Sequence, residues 1–399
     1  MRAPSLLPVL FLILVPVLTA APRLAGDEPG PLAALQQGQA SLLLRPRYEA
    51  VDDRGAGRTA DALTDRLVLG YRTGSWEGLS AYAEFETITA LQTPPRYFVP
   101  PTGYGDPTRA AVVDPALTQV NQLYLAWKGL KVGRQAVNLD DQRFLGSVGW
   151  RQNDQTFTGA SFTNGTWIPR TAFTVARFTQ VAPITGITRD LRMDVVNASV
   201  ALWAGTHLSL FRYASEEVSA PASSLAHTGA RLEGGWKALR VEASYAVQRP
   251  FREATAATTP KAGYRLAGLG WAFSPSHTVM LEQEELEPGF RTPYATLHAW
   301  NGWADRFLTT PAAGLRDRFL RYRGKVGAWS FEAAVHAFHA QAAGAAYGRE
   351  VDLSVAWQAR SWLQLLVKGA DYRADAATPT LGTANRGLKK LWLQATLQF

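Results

Sequence analysis

The stretch Leu391-Trp-Leu-Gln-Ala-Thr-Leu-Gln-Phe399 decides the fold of this chain. Its odd-numbered positions are all apolar, whereas three of its four even-numbered positions are polar. Because a β-strand turns successive side chains to opposite faces, the stretch predicts a strand with one apolar and one mostly polar face. A strand at a sheet edge has unpaired backbone groups, and pairing the last strand with the first removes that edge. The sequence therefore predicts a closed β-barrel.

The same stretch resembles the C-terminal assembly signal of bacterial outer-membrane β-barrels. The resemblance implies that Phe399 belongs to a membrane-assembly signal and that the last strand is the partner of the barrel-assembly machinery. It also implies a location in the outer membrane of a Gram-negative bacterium, with outer-membrane lipid around the protein. A closed barrel suits that location, because a bilayer leaves no water to satisfy open backbone groups.

The beginning of the chain is typical of an exported protein. Arg2 precedes an apolar run over residues 6–18, and small residues follow at 19–21. This pattern predicts a cleaved signal peptide. The run is too short for a membrane anchor, since a spanning helix needs roughly 20 apolar residues. The predicted division of the chain is a signal peptide at 1–21, a periplasmic lead-in at 22–40 and an outer-membrane barrel at 41–399.

The composition narrows the class of partner. The chain has no cysteine, a formal net charge of +8 and 11% aromatic residues. A basic surplus is typical of proteins that meet nucleic acid, a membrane surface or an anionic solute. Export from the cytoplasm argues against nucleic acid as the usual partner of this basic chain. An aromatic-rich chain of near-neutral hydropathy is typical of membrane barrels, because polar lumen residues dilute the lipid-facing apolar ones.

Alternating segments follow one another along most of the chain. Clear examples lie at residues 196–202, 239–247, 329–337 and 351–357, where every second side chain is apolar. Counting such segments predicts an all-β, antiparallel transmembrane barrel of about 18 strands, with about 16 as the alternative. The connections are alternately short and long, which predicts short periplasmic turns and long extracellular loops.

Two stretches carry motifs beyond this general pattern. The motif residues of the first are Gly133-Arg134-Gln135, Asp140, Arg143-Phe144, Gly146 and Trp150-Arg151-Gln152; those of the second are His298, Gly302-Trp303-Ala304-Asp305, Pro311, Gly314-Leu315 and Asp317. Both stretches resemble the alginate-export family of outer-membrane channels. The resemblance implies a monomeric barrel that lets an anionic polysaccharide cross the outer membrane.

The first stretch runs from a strand carrying Arg134 into a loop rich in arginine and aspartate. Asp140, Arg143 and Arg151, with the neighbouring Trp150, could fold into the pore as a constriction. Arginine suits this role because its guanidinium group pairs bidentately with the carboxylates of an acidic sugar. The alternative is a structural network in which the arginines hold the loop to its own aspartates.

The second stretch indicates a compact folded loop organised by His298, Trp303 and Asp305. A histidine in such a loop could also bind a metal or act as a base. The chain has only six histidines, however, and no HExxH or Cys/His cluster. We therefore interpret His298 as a hydrogen-bonding residue that structures the loop.

The third candidate site is the lumen itself. Arg321, Arg323 and Lys325 share one face of a strand that starts near residue 316, and Arg240 is a further inward candidate. Charge on the lipid face costs about 2–4 kcal/mol at mid-depth, which favours the inward direction. These cations would concentrate anions in the lumen. In the simpler alternative they only fill and solvate the barrel interior.

Together these features predict a passive channel for an anionic oligo- or polysaccharide that selects by charge and pore size. The first alternative is a general or anion-selective porin for small solutes. The second is a non-conducting structural or adhesin barrel plugged by its loops. The sequence has no G-x-S-x-G elbow and no phosphate-binding loop, so we predict no enzymatic activity, no cofactor and no metal.

Overall fold

The computed structural model describes residues 30–55, 57–203, 205–342, 344–375 and 385–399. The predicted signal peptide and residues 22–29 of the predicted lead-in lie outside these residues. Within the described part, no helix is long and apolar enough to cross a membrane.

Antiparallel strands form most of the described chain, after one short helix, α1 (Pro31–Gln36). The strands are β1 (Gln39–Leu44), β2 (Arg47–Asp53), β3 (Ala60–Arg72), β4 (Leu79–Ala90), β5 (Phe98–Val99), β6 (Tyr104–Gly105), β7 (Leu117–Trp127), β8 (Leu130–Gln135), β9 (Thr156–Ile168), β10 (Thr171–Ala182), β11 (Arg189–Trp203), β12 (Thr206–Glu217), β13 (Leu225–Trp236), β14 (Leu239–Pro250), β15 (Ala262–Ser274), β16 (His277–Leu286), β17 (Leu315–Val326), β18 (Trp329–His339), β19 (Ala346–Arg360), β20 (Leu363–Ala374) and β21 (Leu388–Gln398).

The two ends of the described chain close the barrel. β21 pairs with β20 on one side and with both β1 and β2 on the other. Leu42 and Phe399 exchange backbone hydrogen bonds of 3.1 and 2.9 Å. β1 and β2 are two halves of one wall strand, interrupted at Pro46, which has no N–H for the ladder. β5 and β6 form a separate two-stranded sheet outside the wall, so the wall has 18 antiparallel strands and the predicted fold is confirmed.

The outer surface of the barrel carries an apolar band with an aromatic belt at one end. In β21, Leu391 and Leu393 are exposed on the outside, whereas Trp392 is fully buried on the inside. Eight described tryptophans are exposed, and all lie close to the short turns: Trp127, Trp167, Trp203, Trp236, Trp271, Trp329, Trp357 and Trp362. Such a belt marks a membrane–water interface. The chain is therefore an outer-membrane β-barrel with its short turns at the periplasmic end.

The short turns have the backbone that a two-residue hairpin requires. Between β7 and β8, Lys128 and Gly129 have φ values of 46° and 94°. Positive φ at both central residues matches the right-handed twist of the flanking strands. A Cβ at Gly129 would also lie 2.4 Å from the carbonyl oxygen of Thr163, so only glycine fits there.

The outer half of the barrel interior is filled by long loops. We call residues 136–155 loop A and residues 287–314 loop B. Their buried side chains, together with part of the 91–116 loop, form one apolar cluster with inward-facing wall residues such as Tyr264 and Phe338. The interior is therefore packed at the extracellular end, and its open space lies towards the periplasm.

Candidate functional site

Loops A and B are bonded to each other inside the barrel. The N–H of Gly146 donates to the carbonyl oxygen of Tyr294 at 2.9 Å, and the N–H of Thr296 donates to that of Gln142 at 3.0 Å. A Cβ at Gly146 would lie 2.2 Å from Thr296 Oγ1 and 2.8 Å from Gln142 Cβ. This close approach explains why a glycine stands at this point of the first motif.

Arg143 attaches loop A to the barrel wall. Its side chain is 1% exposed and donates to Glu284 on β16 at 2.7 Å, to Thr292 at 3.1 Å and to Asn301 at 3.3 Å. Burial disfavours the charged guanidinium, but the Glu284 carboxylate outweighs burial and raises the pKa of Arg143 above its ordinary value. Arg143 is therefore a fixed cation that joins loop A, loop B and the wall.

Arg151 makes a second buried attachment. It donates to Glu49 on β2 at 3.0 Å and to Asp305 of loop B at 3.1 Å, and Asp114 lies 3.8 Å away. Burial opposes the charge, yet these three carboxylates raise its pKa. The alternative of a structural ion-pair network thus describes Arg143 and Arg151, with one correction: the partners are wall and loop B residues instead of the aspartates of loop A.

The wall also holds loop A by its backbone. Arg45 donates to the carbonyl oxygens of Gly149, at 3.0 Å, and of Arg151, and Arg47 donates to that of Trp150 at 2.6 Å. Arg66 makes a bidentate pair with Asp154 at 2.7 and 3.1 Å. Three arginines of adjacent wall strands therefore fix the end of loop A.

His298 and Asp305 form the corresponding attachment in loop B. Asp305 accepts from His298 Nδ1 at 2.8 Å and from Lys390 Nζ at 2.7 Å, while Lys368 Nζ lies 2.8 Å from His298 Nε2. A lysine donor at Nε2 requires an unprotonated nitrogen there, so the neutral Nδ1–H tautomer fits the network. Burial, together with Lys368, lowers the pKa of His298 well below its ordinary value.

The state of His298 predicts that acid loosens loop B. Because its docked pKa lies below the unfolded value of about 6.5, the undocked loop binds an extra proton between those pKa values, and docking weakens as pH falls through this range. We expect hydrogen exchange in residues 287–314, corrected for intrinsic rates, to be about 10- to 30-fold faster at pH 5 than at pH 7. Asp305, whose pKa is lowered well below its ordinary value, contributes only below about pH 4.

The control for this prediction is His298→Gln, which removes the titrating group. Its exchange is expected to vary much less between pH 5 and pH 7, whatever its absolute rate. An identical pH dependence in both proteins would rule out His298 as the source.

Lys368 lies at the centre of an aromatic group that the motif analysis missed. Its Nζ is 4.1 Å from the ring centre of Trp150 and 3.7 Å from that of Trp303, and Trp150 stacks on His298 at 4.7 Å. Cation–π contacts of this kind stabilise a desolvated ammonium group. The signal for Lys368 was its position on the polar face of a strand whose other face carries Leu365 and Val367.

Two cavities occupy the lumen below the loops. The larger, of about 570 Å³, is lined by Lys237, Arg240, Glu233 and Glu242 among others. The smaller, of about 210 Å³, reaches Trp300, Trp303, His298 and Lys368 on the underside of loop B. Arg321 and Arg323 line both cavities, so these two arginines lie where the spaces meet. Cations outnumber carboxylates in each lining, which favours anions.

The remaining candidates from the sequence have different positions. Arg134 donates to Thr156 at 2.8 Å and Gln119 at 2.9 Å and so links β9 to β7. Asp140 accepts from Asn197 at 2.7 Å and Tyr213 at 3.2 Å. Lys325 is exposed near the periplasmic end of β17. Of the predicted pore residues, the structure therefore places Arg240, Arg321 and Arg323 around open space, while the predicted loop residues Trp150, His298 and Trp303 line the smaller cavity from above.

Among the described residues, no group of three or more His, Cys, Asp or Glu side chains is arranged to hold a metal ion. His336 lies 2.9 Å from Asp317 and 3.5 Å from Asp352, and these contacts join neighbouring strands of the wall.

Solved structures share this architecture, although no protein-family model and no curated protein matches the sequence. OpdK of Pseudomonas aeruginosa, determined with vanillate, is similar with a TM-score of 0.71 and 16% identity over 92% of this chain and 99% of that chain. OccAB4 of Acinetobacter baumannii has a TM-score of 0.68 and 12% identity over 91% and 98% of the two chains.

These similarities concern the fold of the chain and not its sequence. OccK9 (OpdG) of Pseudomonas aeruginosa extends them, with a TM-score of 0.65 and 17% identity over 92% of this chain and all of that chain. At such identities the similarity shows the fold, an 18-strand antiparallel β-barrel. The resemblance to the alginate-export family is not confirmed.

Proposed function

We propose that the protein is an outer-membrane channel for small anionic solutes, with the cations of the two lumen cavities as its selective element. The observation that carries the proposal is the shared lining of both cavities by Arg321 and Arg323. The fold's likeness to OpdK supports it, since that barrel was determined with vanillate, a small aromatic carboxylate. This is the small-solute alternative that the sequence left open.

The packing of the interior argues for small solutes over a polysaccharide. Loops A and B fill the outer half and are held by buried ion pairs, including Arg143–Glu284 and Arg151–Glu49. Breaking a buried pair by displacing one partner costs about 3–5 kcal/mol. A polysaccharide chain would have to displace both loops, whereas a small anion needs only a narrow passage beside them.

Arg321 and Arg323 differ in how they can act on a solute. Arg321 is 17% exposed and lies 2.7 Å from Glu282 and 3.6 Å from Glu242, so two carboxylates fix its direction. Arg323 is 60% exposed, and Glu332, at 2.9 Å, is its one ion-pair partner among the described residues. An exposed pair of this kind contributes at most about 1 kcal/mol. Arg323 can therefore exchange Glu332 for a solute carboxylate, while Arg321 supplies a fixed field.

Reversing the charge of Arg323 tests the proposal. In Arg323→Glu we expect the anion-to-cation permeability ratio, measured as a reversal potential across a planar bilayer with a salt gradient, to fall about 10-fold because the local field is reversed. Arg318→Glu is the matched control, since Arg318 lies on the same strand and pairs with Gln283 on the outer surface.

Three results would each contradict one part of the proposal: the selective element, the class of solute or the channel itself. Equal selectivity in Arg323→Glu and the native protein would exclude the arginine as selective element. Block by a polyuronate but not by a small carboxylate would restore the polysaccharide prediction. Absence of any conductance would favour the plugged structural or adhesin barrel.

A further inference from the structure

An apolar groove lies on the lipid-facing surface where the barrel closes. Its floor is Gly369 on β20, flanked by Leu353 on β19 and Leu391 on β21, with Ala50 of β2 beyond. The groove has a volume of about 550 Å³, and its surface is mostly apolar, with the charged side chains of Asp52, Asp371, Arg373 and Lys389 also in its lining. It exists because Gly369 and Ala50 have almost no side chain in a row of otherwise large residues.

The groove continues towards the periplasmic end. A second hollow of about 520 Å³ lies directly below, between Trp357, Val367 and Leu393. Along β20, the six-residue distance from Asp371 to Leu365 corresponds to roughly 20 Å. This is longer than half of the ~25 Å apolar band of an outer-membrane barrel. The groove is therefore long enough to hold an acyl chain through the outer leaflet.

The extracellular end of the groove carries a cluster of cations. Arg373 and Lys389 are 80% and 52% exposed, and both share one carboxylate, Asp371, at 3.0 and 3.9 Å. A third hollow, of about 360 Å³, lies above the groove and is lined by Arg54, Arg373 and Lys389. Arg349 is the cross-strand neighbour of Arg373. Among the described residues, neither Arg54 nor Arg349 forms an ion pair, and besides Asp371 one more carboxylate, the exposed Asp52, lies opposite Lys389 and lines the groove.

Other outward arginines are paired differently. Arg177 faces Asp194 at 3.6 Å, and Arg265 lies near both Glu285 and Glu287 at 3.7 and 3.3 Å. At those places each cation has at least one carboxylate of its own. The closing seam combines a surplus of cations at headgroup level with an apolar groove directly beneath it.

We propose that this seam binds a phosphorylated, acylated glycolipid of the outer leaflet. Its phosphate lies between Arg373 and Lys389, where charge-assisted hydrogen bonds to phosphate oxygens form, and one acyl chain lies over Gly369. The lipid would bridge β19 to β2 across the seam formed by the two chain ends. The site is on the outside of the barrel, so it does not depend on the lumen or on the solute.

The charge requirement is tested with the full-length protein in detergent. Native mass spectrometry would measure binding of a bis-phosphorylated lipid A and of the same lipid after dephosphorylation. We expect the phosphorylated lipid to bind at least about 10-fold more tightly, and the Arg373→Ala/Lys389→Ala variant to lose that preference. The matched control is Arg265→Ala/Arg318→Ala, two outward arginines away from the seam, which should bind as the native protein does.

The groove is tested separately by filling it. A Cβ at Gly369 would have its nearest neighbour, the carbonyl oxygen of Lys390, at 3.6 Å, so Gly369→Leu adds a side chain without backbone strain. We expect Gly369→Leu to weaken binding of the acylated lipid about 10-fold. The conductance should be unchanged, and so should the shift in electrophoretic mobility that heating produces in a folded barrel.

Three outcomes would overturn the proposal. The first is equal affinity for phosphorylated and dephosphorylated lipid, which means ordinary annular contact. The second is native-like binding by both Arg373→Ala/Lys389→Ala and Gly369→Leu. The third is a stable dimer that buries the seam in place of lipid, seen as a doubled mass that the seam substitutions abolish.

Discussion

Replacing Arg143 by methionine is expected to release loop A from the barrel wall and to raise the conductance of the protein. Methionine keeps the contacts with Tyr264 and Trp300, whose ring centres lie 5.4 and 5.3 Å from the guanidinium carbon. It removes the charge that neutralises Glu284, and an unpaired buried carboxylate costs about 3–5 kcal/mol. Hydrogen exchange in residues 136–155 should become about 100-fold faster or more, because each 1.4 kcal/mol is a factor of ten.

The control for Arg143→Met removes both charges. In Arg143→Met/Glu284→Met no buried charge is left alone, and replacing both partners of a buried pair by apolar residues is often nearly neutral. The double variant should therefore recover most of the protection that the single variant loses. Faster exchange of equal size in both variants would mean that the pair itself, and not the unpaired carboxylate, holds the loop.

Replacing Asp305 by alanine is expected to free loop B to a similar extent. The substitution takes a buried carboxylate from Lys390 and Arg151, which lie 2.7 and 3.1 Å from it, and also from His298. Arg151 keeps Glu49, whereas Lys390 is left without a carboxylate among the described residues. The expected loss is about 3–5 kcal/mol of docking free energy, read as faster hydrogen exchange in residues 287–314 and larger conductance fluctuations.

Two further variants make this result specific. Asp305→Ala/Lys390→Met removes the stranded ammonium group and should regain part of the protection. Asp371→Ala breaks the exposed pairs at the extracellular rim and should change protection by no more than about 1 kcal/mol. If Asp305→Ala behaved like Asp371→Ala, loop B would be held by its apolar contacts alone.

The wall of the barrel could be predicted because its physics is local. In residues 239–247, for example, every second side chain must face lipid, so the alternation is visible in any short window. The same rule put Arg321 and Arg323 on the inward face, where both line the cavities. The interruption at Pro46 was not predicted, because a proline is compatible with several kinds of strand end.

The arrangement of the interior could not be predicted in the same way. Arg143 meets Glu284 across 141 positions of sequence, and Arg151 meets Glu49 across 102. Which carboxylate an arginine finds depends on the path of two long loops through the lumen, and no periodic pattern encodes that path. The sequence therefore indicated that Arg143 and Arg151 were paired, but it assigned the wrong partners.

The hydrogen bonds from Arg45 and Arg47 to the backbone of loop A have a consequence for redesign. Both arginines hold carbonyl oxygens of residues 149–151, which every amino acid possesses. These backbone hydrogen bonds do not depend on the side chains, but the side chains of Trp150 and Arg151 make buried contacts of their own with Lys368 and Glu49. Gly149 is the exposed member of the segment, and a Cβ there would have no neighbour closer than 3.9 Å, so a side chain added at this position can change what a permeant molecule touches while the path of the loop is kept.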